Sequence, residues 1–229
     1  MHEDLIELID DEFLKITYFE KHSKDVVISF SSTPRLLGDE DVAVEQFIGK
    51  LSNNDTTGIF IIDKKSSYGN SIDFIKIAEL ISPIINGRQT NSVGYCMGGF
   101  LAIAFSNVYP VNNVVAMTPQ WSIHPDILPA ESYLNYFTDR ISDWKIKDLS
   151  DAFVDETNYF IFNSDNEDDQ YQIRLFPKQD NIDVYEFGPA FDHDLPEALP
   201  PGVLEKLMMS CLEQGKDNMV RSFISDYYG

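Results

Sequence analysis

The sequence is poor in cysteine and histidine, and this scarcity excludes several kinds of site. It has two cysteines, Cys96 and Cys211, so we expect no disulfide framework and take a reducing cytoplasm as the default location. Its four histidines are scattered, and neither a His-x-x-x-His nor a Cys-x-x-Cys spacing occurs, so no metal site is predicted. Gly-x-Gly-x-x-Gly and Walker-type loops are also absent, so the sequence marks no nucleotide site and we expect no cofactor.

Positive charge is scarce as well. Lysine and arginine number 17 against 38 aspartates and glutamates, which gives a formal net charge of −21 at pH 7. Nucleic acids and anionic membranes would repel such a chain, so neither is expected as a partner. No apolar run approaches the ~20 residues of a membrane span, and the acidic N-terminus lacks the basic and apolar regions of a signal peptide. We therefore expect a cytoplasmic protein.

The most informative stretch is residues 94–99, Gly-Tyr-Cys-Met-Gly-Gly. An extended approach precedes it, and the apolar run at 100–105 follows it as a predicted buried helix. A strand that turns sharply into a helix places one residue at the tip, with a strained backbone and an exposed side chain. Close packing there requires small neighbours two residues to either side, which Gly94 and Gly98 supply. The tip residue is Cys96, where serine is usual.

This position has consequences for the chemistry of Cys96. The N-terminus of a helix favours negative charge, so a thiol there is biased towards the thiolate, which attacks carbonyl carbon. The backbone N–H of Met97 would face the developing oxyanion. A second donor is expected in the loop after the buried strand at 26–30, where Ser31 and Ser32 stand. The other reading of these two serines is an ordinary turn.

Short apolar runs alternate with helical patterns along the chain, which predicts a mostly parallel sheet covered on both faces. Apolar and aromatic contents of 43% and 13% fit one folded domain over residues 1–229. We predict a three-layer α/β fold with about six to seven strands flanked by helices. The clearest extended runs are residues 26–30, 58–63, 114–117, 158–162 and 182–187.

Two regions are candidates for contact with a substrate. Tyr68 follows the run at 58–63, at the sheet edge where open α/β sheets bind ligands; it is either a substrate contact or a surface tyrosine without a role. Residues 121–152 break the alternating pattern and are rich in aromatics, which predicts a lid-like insertion. Its aromatic side chains, Trp121 among them, would form an apolar wall for a substrate, cover the sheet, or do both. His124 lies in this insertion and is a poor candidate for a base, because it precedes the last two strands; we expect it on the polar surface.

A candidate nucleophile, a candidate acid and a histidine follow one another along the chain in the order typical of a catalytic triad whose nucleophile stands at a strand–helix turn. His193 stands in the loop after the last predicted strand, where it could take the proton of Cys96 and later activate water. The acid that orients it would come after the preceding strand, as Asp169 or as Asp165. Asp169 is preferred because it would sit at the start of a helix, where the backbone is fixed.

The segment 94–99 resembles the nucleophile elbow of the dienelactone hydrolase family within the α/β-hydrolase superfamily. This resemblance implies a Cys-His-Asp hydrolase without a cofactor, acting on a small acyl substrate. The other substrate-binding residues of that family are not found, so its lactone substrate is not carried over. Pro119 and Gln120, with the region around Asp169 and His193, also resemble bacterial α/β-hydrolase-like proteins linked to surface polysaccharides.

Two functions from different classes follow from these residues. The first is a hydrolase or acyltransferase that acts on an ester, thioester or lactone through an acyl-enzyme at Cys96. The second is an inactive binding or scaffold protein linked to surface polysaccharide synthesis. The cysteine at the elbow, where serine is usual, raises this second possibility. The presence of both His193 and a suitably placed acid favours the enzyme.

Overall fold

The architecture was analysed in a computed structural model, which describes residues 4–33, 35–37, 40–42, 45–47, 51, 54–129, 132, 134–164, 167–187 and 202–214. Within those ranges the chain forms ten strands and five helices of four residues or more. The strands are Ile6–Asp10 (β1), Leu14–Phe19 (β2), Asp25–Phe30 (β3), Arg35–Leu37 (β4), Glu40–Val42 (β5), Thr57–Asp63 (β6), Gln89–Tyr95 (β7), Asn113–Met117 (β8), Asn158–Asn163 (β9) and Ile182–Glu186 (β10). The helices are Phe74–Ile85 (α1), Met97–Ser106 (α2), Asn135–Thr138 (α3), Glu167–Ile173 (α4) and Val203–Gln214 (α5).

Eight strands form one twisted layer in the order β1-β2-β6-β3-β7-β8-β9-β10. The β1–β2 and β2–β6 pairs are antiparallel, and the five pairs that follow along the sheet are parallel. Parallel neighbours bring their carboxyl ends to the same edge. The ends of β3, β7, β8 and β9 therefore lie side by side, and the residues that directly follow these strands lie along one edge of the sheet.

The central strands are buried on both faces, as near-continuous apolar runs require. Alternate residues of β6 show this: Ile59 and Ile61 belong to one core, whereas Phe60 belongs to the other. The first core holds α1, α2 and apolar residues of the 121–152 segment, and the second holds α5 and Leu51. The protein is therefore a three-layer α/β structure, which confirms the predicted fold class.

The helix α1 begins directly after a capping aspartate. Asp73 adopts an extended backbone, and its carboxylate accepts the N–H groups of Ile75 and Lys76 at 2.9 and 3.2 Å, which caps the helix. At the other end Gly87 has φ +76°, a conformation that glycine adopts without steric cost.

The structure departs from the expected secondary structure at two places. The sheet has eight strands rather than six to seven, because the segment Ile6–Asp10 adds a strand at one edge. Acidic residues flank its short apolar pattern on both sides, so the sequence does not mark it as a strand. The apolar residues of segment 39–51 stand at helical spacing, whereas Glu40–Val42 pairs with Arg35–Leu37 in a small antiparallel sheet.

The loop after β6 is fixed by buried side chains rather than lying on the surface. The Asp63 Oδ2 atom accepts from the N–H and the hydroxyl of Ser67 and from the N–H of Gly69, at 2.8–3.1 Å. Burial raises the pKa of the Asp63 carboxyl, against the hydrogen bonds from Ser67, Gly69 and Lys65, which lower it. Residues 66–70 are all buried as a result.

The 121–152 segment is largely irregular and is anchored to the rest of the chain by side-chain amides. The Gln172 Oε1 atom accepts the N–H groups of Trp121 and Ser122 at 2.8 and 3.1 Å. The Asn70 Oδ1 atom accepts the N–H groups of Lys145 and Ile146 at 2.7 and 2.8 Å. These bonds satisfy backbone groups that an irregular segment leaves open. Its function as a lid stays a prediction.

No helix in the described part of the chain is long and apolar enough to cross a membrane.

Candidate active site

Cys96 stands at the junction between β7 and α2 with an unusual backbone conformation, φ 54° and ψ −121°. Its N–H donates to the carbonyl of Met117 at 2.9 Å, and its carbonyl accepts from Phe100 at 3.1 Å. The residue therefore closes the strand on one side and begins the helix on the other. A non-glycine residue in this region of backbone space is strained, and such strain collects at functional sites.

The two flanking glycines are required by contact distances. A Cβ atom on Gly94 would lie 2.1 Å from the carbonyl carbon and oxygen of Gly98. A Cβ atom on Gly98 would lie 2.1 Å from the carbonyl oxygen of Phe30, the last residue of β3. The first turn of α2 is thus pressed against the ends of β7 and β3, and this contact brings the loop after β3 beside the elbow.

Backbone strain is concentrated at this edge of the sheet. Among described residues other than glycine, six have positive φ, and four of them follow the carboxyl ends of β6, β7 and β8. They are Ser66, Tyr68, Cys96 and Thr118, with φ between 41° and 54°. Thr118 is β-branched, for which positive φ is especially unfavourable. The edge identified from the order of the strands is therefore also the strained edge of the molecule.

The Cys96 thiol contacts a buried amide that sequence reasoning missed as a site residue. Its Sγ lies 3.6 Å from Oε1 of Gln120, and the hydroxyl of Tyr68 donates to the same oxygen at 3.1 Å. Gln120 and Tyr68 are 1% and 0% exposed. Gln120 directly follows Pro119 after β8, the strand next to the one that leads to Cys96. This place in the chain is the signal by which the sequence could have identified Gln120. Tyr68 is thus brought to the site, in the core rather than on the surface.

The candidate oxyanion donors, Met97, Ser31 and Ser32, differ in the partners of their backbone N–H groups. Met97 is the first residue of α2, where N–H groups have no partner within the helix. The N–H of Ser31 donates to the carbonyl of Ile61 at 2.9 Å and so extends the sheet. The N–H of Ser32 donates to Oε1 of Gln46 at 3.2 Å, a side-chain oxygen that another acceptor could replace. Of the two serines, Ser32 is the one whose N–H is held by a side chain rather than by the sheet.

Asp169 lies in the first turn of α4, and its side chain is buried at 3% exposure. Its Oδ2 accepts from the hydroxyl of Ser164 at 2.5 Å, and its carbonyl accepts from Nδ2 of Asn163 at 3.1 Å. Both partners lie at the end of β9, two strands from the elbow strand. A helix that begins at Glu167 fixes the backbone of Asp169, as its preference over Asp165 requires.

The remaining predicted site residues are His193, Asp165 and Trp121. His193 and Asp165 fall outside the described residues. The ring of Trp121 packs against Phe153 and Phe176, with centroids 6.3 and 5.3 Å away, so its contact with a substrate stays a prediction.

His124 is buried at 7% exposure rather than lying on the polar surface. Its ring packs edge-on against Trp144, with centroids 4.7 Å apart, and its Nδ1 accepts the N–H of Asp126. An imidazole whose Nδ1 accepts carries its proton on Nε2. His124 therefore serves the packing of the insertion.

Cys96 is expected to be the more reactive of the two thiols. Cys211 is fully buried on α5, and burial raises the pKa of its thiol far above the ordinary value, with the charge of Asp183 acting in the same direction. Limited labelling of the folded protein with iodoacetamide, followed by peptide mass mapping, is expected to modify Cys96 at least tenfold faster than Cys211, because only the thiolate reacts. Preferential labelling of Cys211 would contradict the assignment of Cys96 to a functional elbow.

A possible metal site was also sought. In the ranges that the structure describes, no three His, Cys, Asp or Glu side chains are grouped as a metal ion would need.

Comparisons with known proteins identify the fold. No protein-family model matches the sequence, and no curated protein sequence matches it. The capsule O-acetyltransferase of Neisseria meningitidis serogroup A is similar in structure, with TM-score 0.63 and 17% identity over 92% of this chain and 95% of that one. An α/β superfamily hydrolase from Oenococcus oeni gives TM-score 0.59 and 16% identity over 87% and 97% of the two chains. A carboxylesterase from Bacillus subtilis gives 0.55 and 14% over 94% and 93%. The chain has the α/β-hydrolase fold, and fold alone does not assign a reaction.

Proposed function

We propose that this protein is an acyl-ester hydrolase or acyltransferase that forms an acyl-enzyme at Cys96. The observation that carries the proposal is the backbone of Cys96, held at φ 54° and ψ −121° between a buried strand and a helix N-terminus. Strain of this kind persists only where the surrounding structure imposes it, and here Gly94 and Gly98 allow the packing that does so. The structural likeness to an O-acetyltransferase and to esterases supports the same reaction class.

The proposed first step is acylation of the sulfur. His193, as general base, takes the Sγ proton while Sγ bonds to the acyl carbonyl carbon, and a tetrahedral oxyanion forms. Collapse of this intermediate breaks the bond from carbon to the leaving oxygen or sulfur, which receives the proton from the imidazolium. Asp169 would orient the imidazole and stabilise its charged form. Water or an acceptor hydroxyl then attacks the thioester carbonyl while His193 takes its proton; the bond from carbon to Sγ breaks, and the imidazolium returns the proton to Sγ.

The oxyanion would be held by the backbone N–H groups of Met97 and Ser32. Contact between Gly98 and the carbonyl of Phe30 keeps the two loops that carry these donors together. The N–H of Ser32 donates a hydrogen bond to the side-chain amide oxygen of Gln46. A substrate carbonyl oxygen would replace that neutral acceptor, and its bond would strengthen as negative charge develops.

Transfer to a hydroxyl is the form of the reaction that the comparisons favour. The Neisseria protein is an O-acetyltransferase, and a histidine variant of it has been solved in complex with CoA, with TM-score 0.61 against this chain. We therefore place acetyl-CoA first among donors to be tested, with an activated acetyl ester second. The acceptor would be a hydroxyl compound, and water would take its place in hydrolysis.

The test is direct detection of the acyl-enzyme. The protein is mixed with acetyl-CoA or p-nitrophenyl acetate, quenched in acid, digested and analysed by peptide mass. We expect one acetyl group on the peptide that contains Cys96, and turnover at least about 10³-fold lower in Cys96→Ala. Cys211→Ala is the matched control and is expected to keep both the adduct and the turnover.

The inactive binding protein remains the second candidate, and one observation favours it. A cavity of about 500 Å³ lies at the C-terminal end of α2, lined by residues such as Phe74, Val108 and Ile146, and Cys96 is not among its lining residues. Equal turnover in the wild-type protein and Cys96→Ala across acyl esters and thioesters would support binding without catalysis.

A further inference from the structure

Gln120 is held between three partners that fix the orientation of its amide. Its Nε2 donates to the carbonyl of Thr118 at 3.2 Å, whereas its Oε1 faces the hydroxyl of Tyr68 and the Sγ of Cys96. A backbone carbonyl can only accept a hydrogen bond, so the amide atom that faces Thr118 must be the nitrogen. The atom that faces Cys96 is therefore the acceptor oxygen.

An acceptor oxygen beside a thiol favours one protonation state. It receives a hydrogen bond from S–H, whereas it would repel the negative sulfur of a thiolate. Burial acts in the same direction, because Cys96 is only 5% exposed and a charge there is poorly solvated. The N-terminus of α2 acts in the opposite direction, but the Cys96 side chain makes no capping hydrogen bond to that helix.

We infer that Gln120 holds Cys96 as a neutral, oriented thiol in the resting protein. The inference rests on the proposed function of the same elbow and adds a positioning residue to it. The site then works by removal of the Cys96 proton during attack, once the S–H has turned from the oxygen of Gln120 towards the base, and not from a thiolate formed in advance. The sequence alone favours the thiolate, because it shows the helix N-terminus at Cys96 but not the oxygen of Gln120, which lies beside the sulfur only in the folded chain. Tyr68 donates to that same oxygen and so helps to hold the amide in place.

The first measurement needs only one variant. A thiolate absorbs in the ultraviolet and a thiol does not, so the wild-type spectrum minus that of Cys96→Ala reports the charge on Cys96. At neutral pH we expect no thiolate band in this difference. A band that corresponds to most of the protein would overturn the inference. Because no substrate is used, this outcome is separate from success or failure of the acyl-enzyme experiment.

The second measurement tests Gln120 itself. Gln120→Met keeps the length of the side chain and removes the acceptor oxygen, so we expect Cys96 to be alkylated about three- to tenfold faster at neutral pH. Tyr68→Phe is the matched variant: it removes one partner of the amide and leaves the oxygen beside Sγ, and we expect less than a twofold change.

Cys211 is the internal control in the same samples. If Gln120 merely supported the fold, its replacement would loosen the protein and speed alkylation of both cysteines. A rise confined to Cys96 supports the inference. An unchanged rate at Cys96, an equal rise at both cysteines, or an equal rise in Tyr68→Phe would overturn it.

Discussion

Gly98→Ala is expected to yield little or no folded protein. The added methyl carbon would lie 2.1 Å from the carbonyl oxygen of Phe30 and 2.9 Å from its carbonyl carbon. Those atoms belong to β3, which pairs with β6 on one side and with β7 on the other, so they cannot retreat without breaking the centre of the sheet. Overpacking in a core costs about 1–3 kcal/mol where side chains can adjust. A contact between backbone and backbone has no such relief, and we expect a loss above about 4 kcal/mol.

The controls for this prediction are other glycines of the same chain. At Gly87 a Cβ atom would have no neighbour within 4 Å, so only the positive φ of 76° opposes alanine, at a cost of about 1–2 kcal/mol. At Gly99 the nearest atom is Cβ of Pro119 at 3.1 Å, which permits a small adjustment. Urea denaturation of the three alanine variants is expected to rank Gly98 as by far the most damaging. Equal midpoints for Gly98→Ala and Gly87→Ala would contradict the packing of the elbow described above.

The sequence predicted those parts of the fold that depend on local pattern. The continuous apolar run in strands such as Thr57–Asp63 marks a strand buried on both faces, and the spacing of Gly94, Cys96 and Gly98 marks the elbow. Each of these signals is contained within a few consecutive residues of the chain. The edge strand Ile6–Asp10 was missed because acidic residues flank its short apolar pattern on both sides.

The contacts missed at the site join residues far apart in the sequence. Gln120 meets Cys96 across 24 positions and Tyr68 across 52, and neither periodicity nor a short motif encodes such a pair. The burial of Tyr68 was missed for a different reason: it follows from hydrogen bonds that the Asp63 carboxylate accepts from its own loop, four and six positions along the chain. Polar residues in a loop suggest exposure until the carboxylate that gathers them is seen.

The surroundings of Cys96 combine two features that act against each other. The elbow places the sulfur at a helix N-terminus, which favours negative charge, while burial and the oxygen of Gln120 favour the neutral thiol. A nucleophile of this kind depends on its base at the moment of attack. The residue that orients the base then has a large share in the rate.

Asp169→Asn is expected to lower turnover of the acetyl donor by about 10³- to 10⁴-fold, because a neutral amide can neither fix the imidazole tautomer nor stabilise its charged form. The change is isosteric, and the hydroxyl of Ser164 can still donate to the remaining oxygen, so the thermal midpoint is expected to move by only a few degrees. Asp168→Asn, at the neighbouring position of α4, is the matched control and is expected to retain nearly full turnover.

Asp165→Asn separates the two aspartates considered for this position. Asp169 is buried on a helix whose backbone is fixed, and its carbonyl is held by Asn163, which suits a residue that must orient another group within a narrow range. We therefore expect Asp165→Asn to lower turnover by less than about tenfold, with a loss of about 10³-fold or more reserved for Asp169→Asn. Steady-state kinetics on both variants, with circular dichroism to confirm folding, decides between them. The reverse ranking would transfer the orienting role to Asp165 and leave the acyl-enzyme at Cys96 untouched.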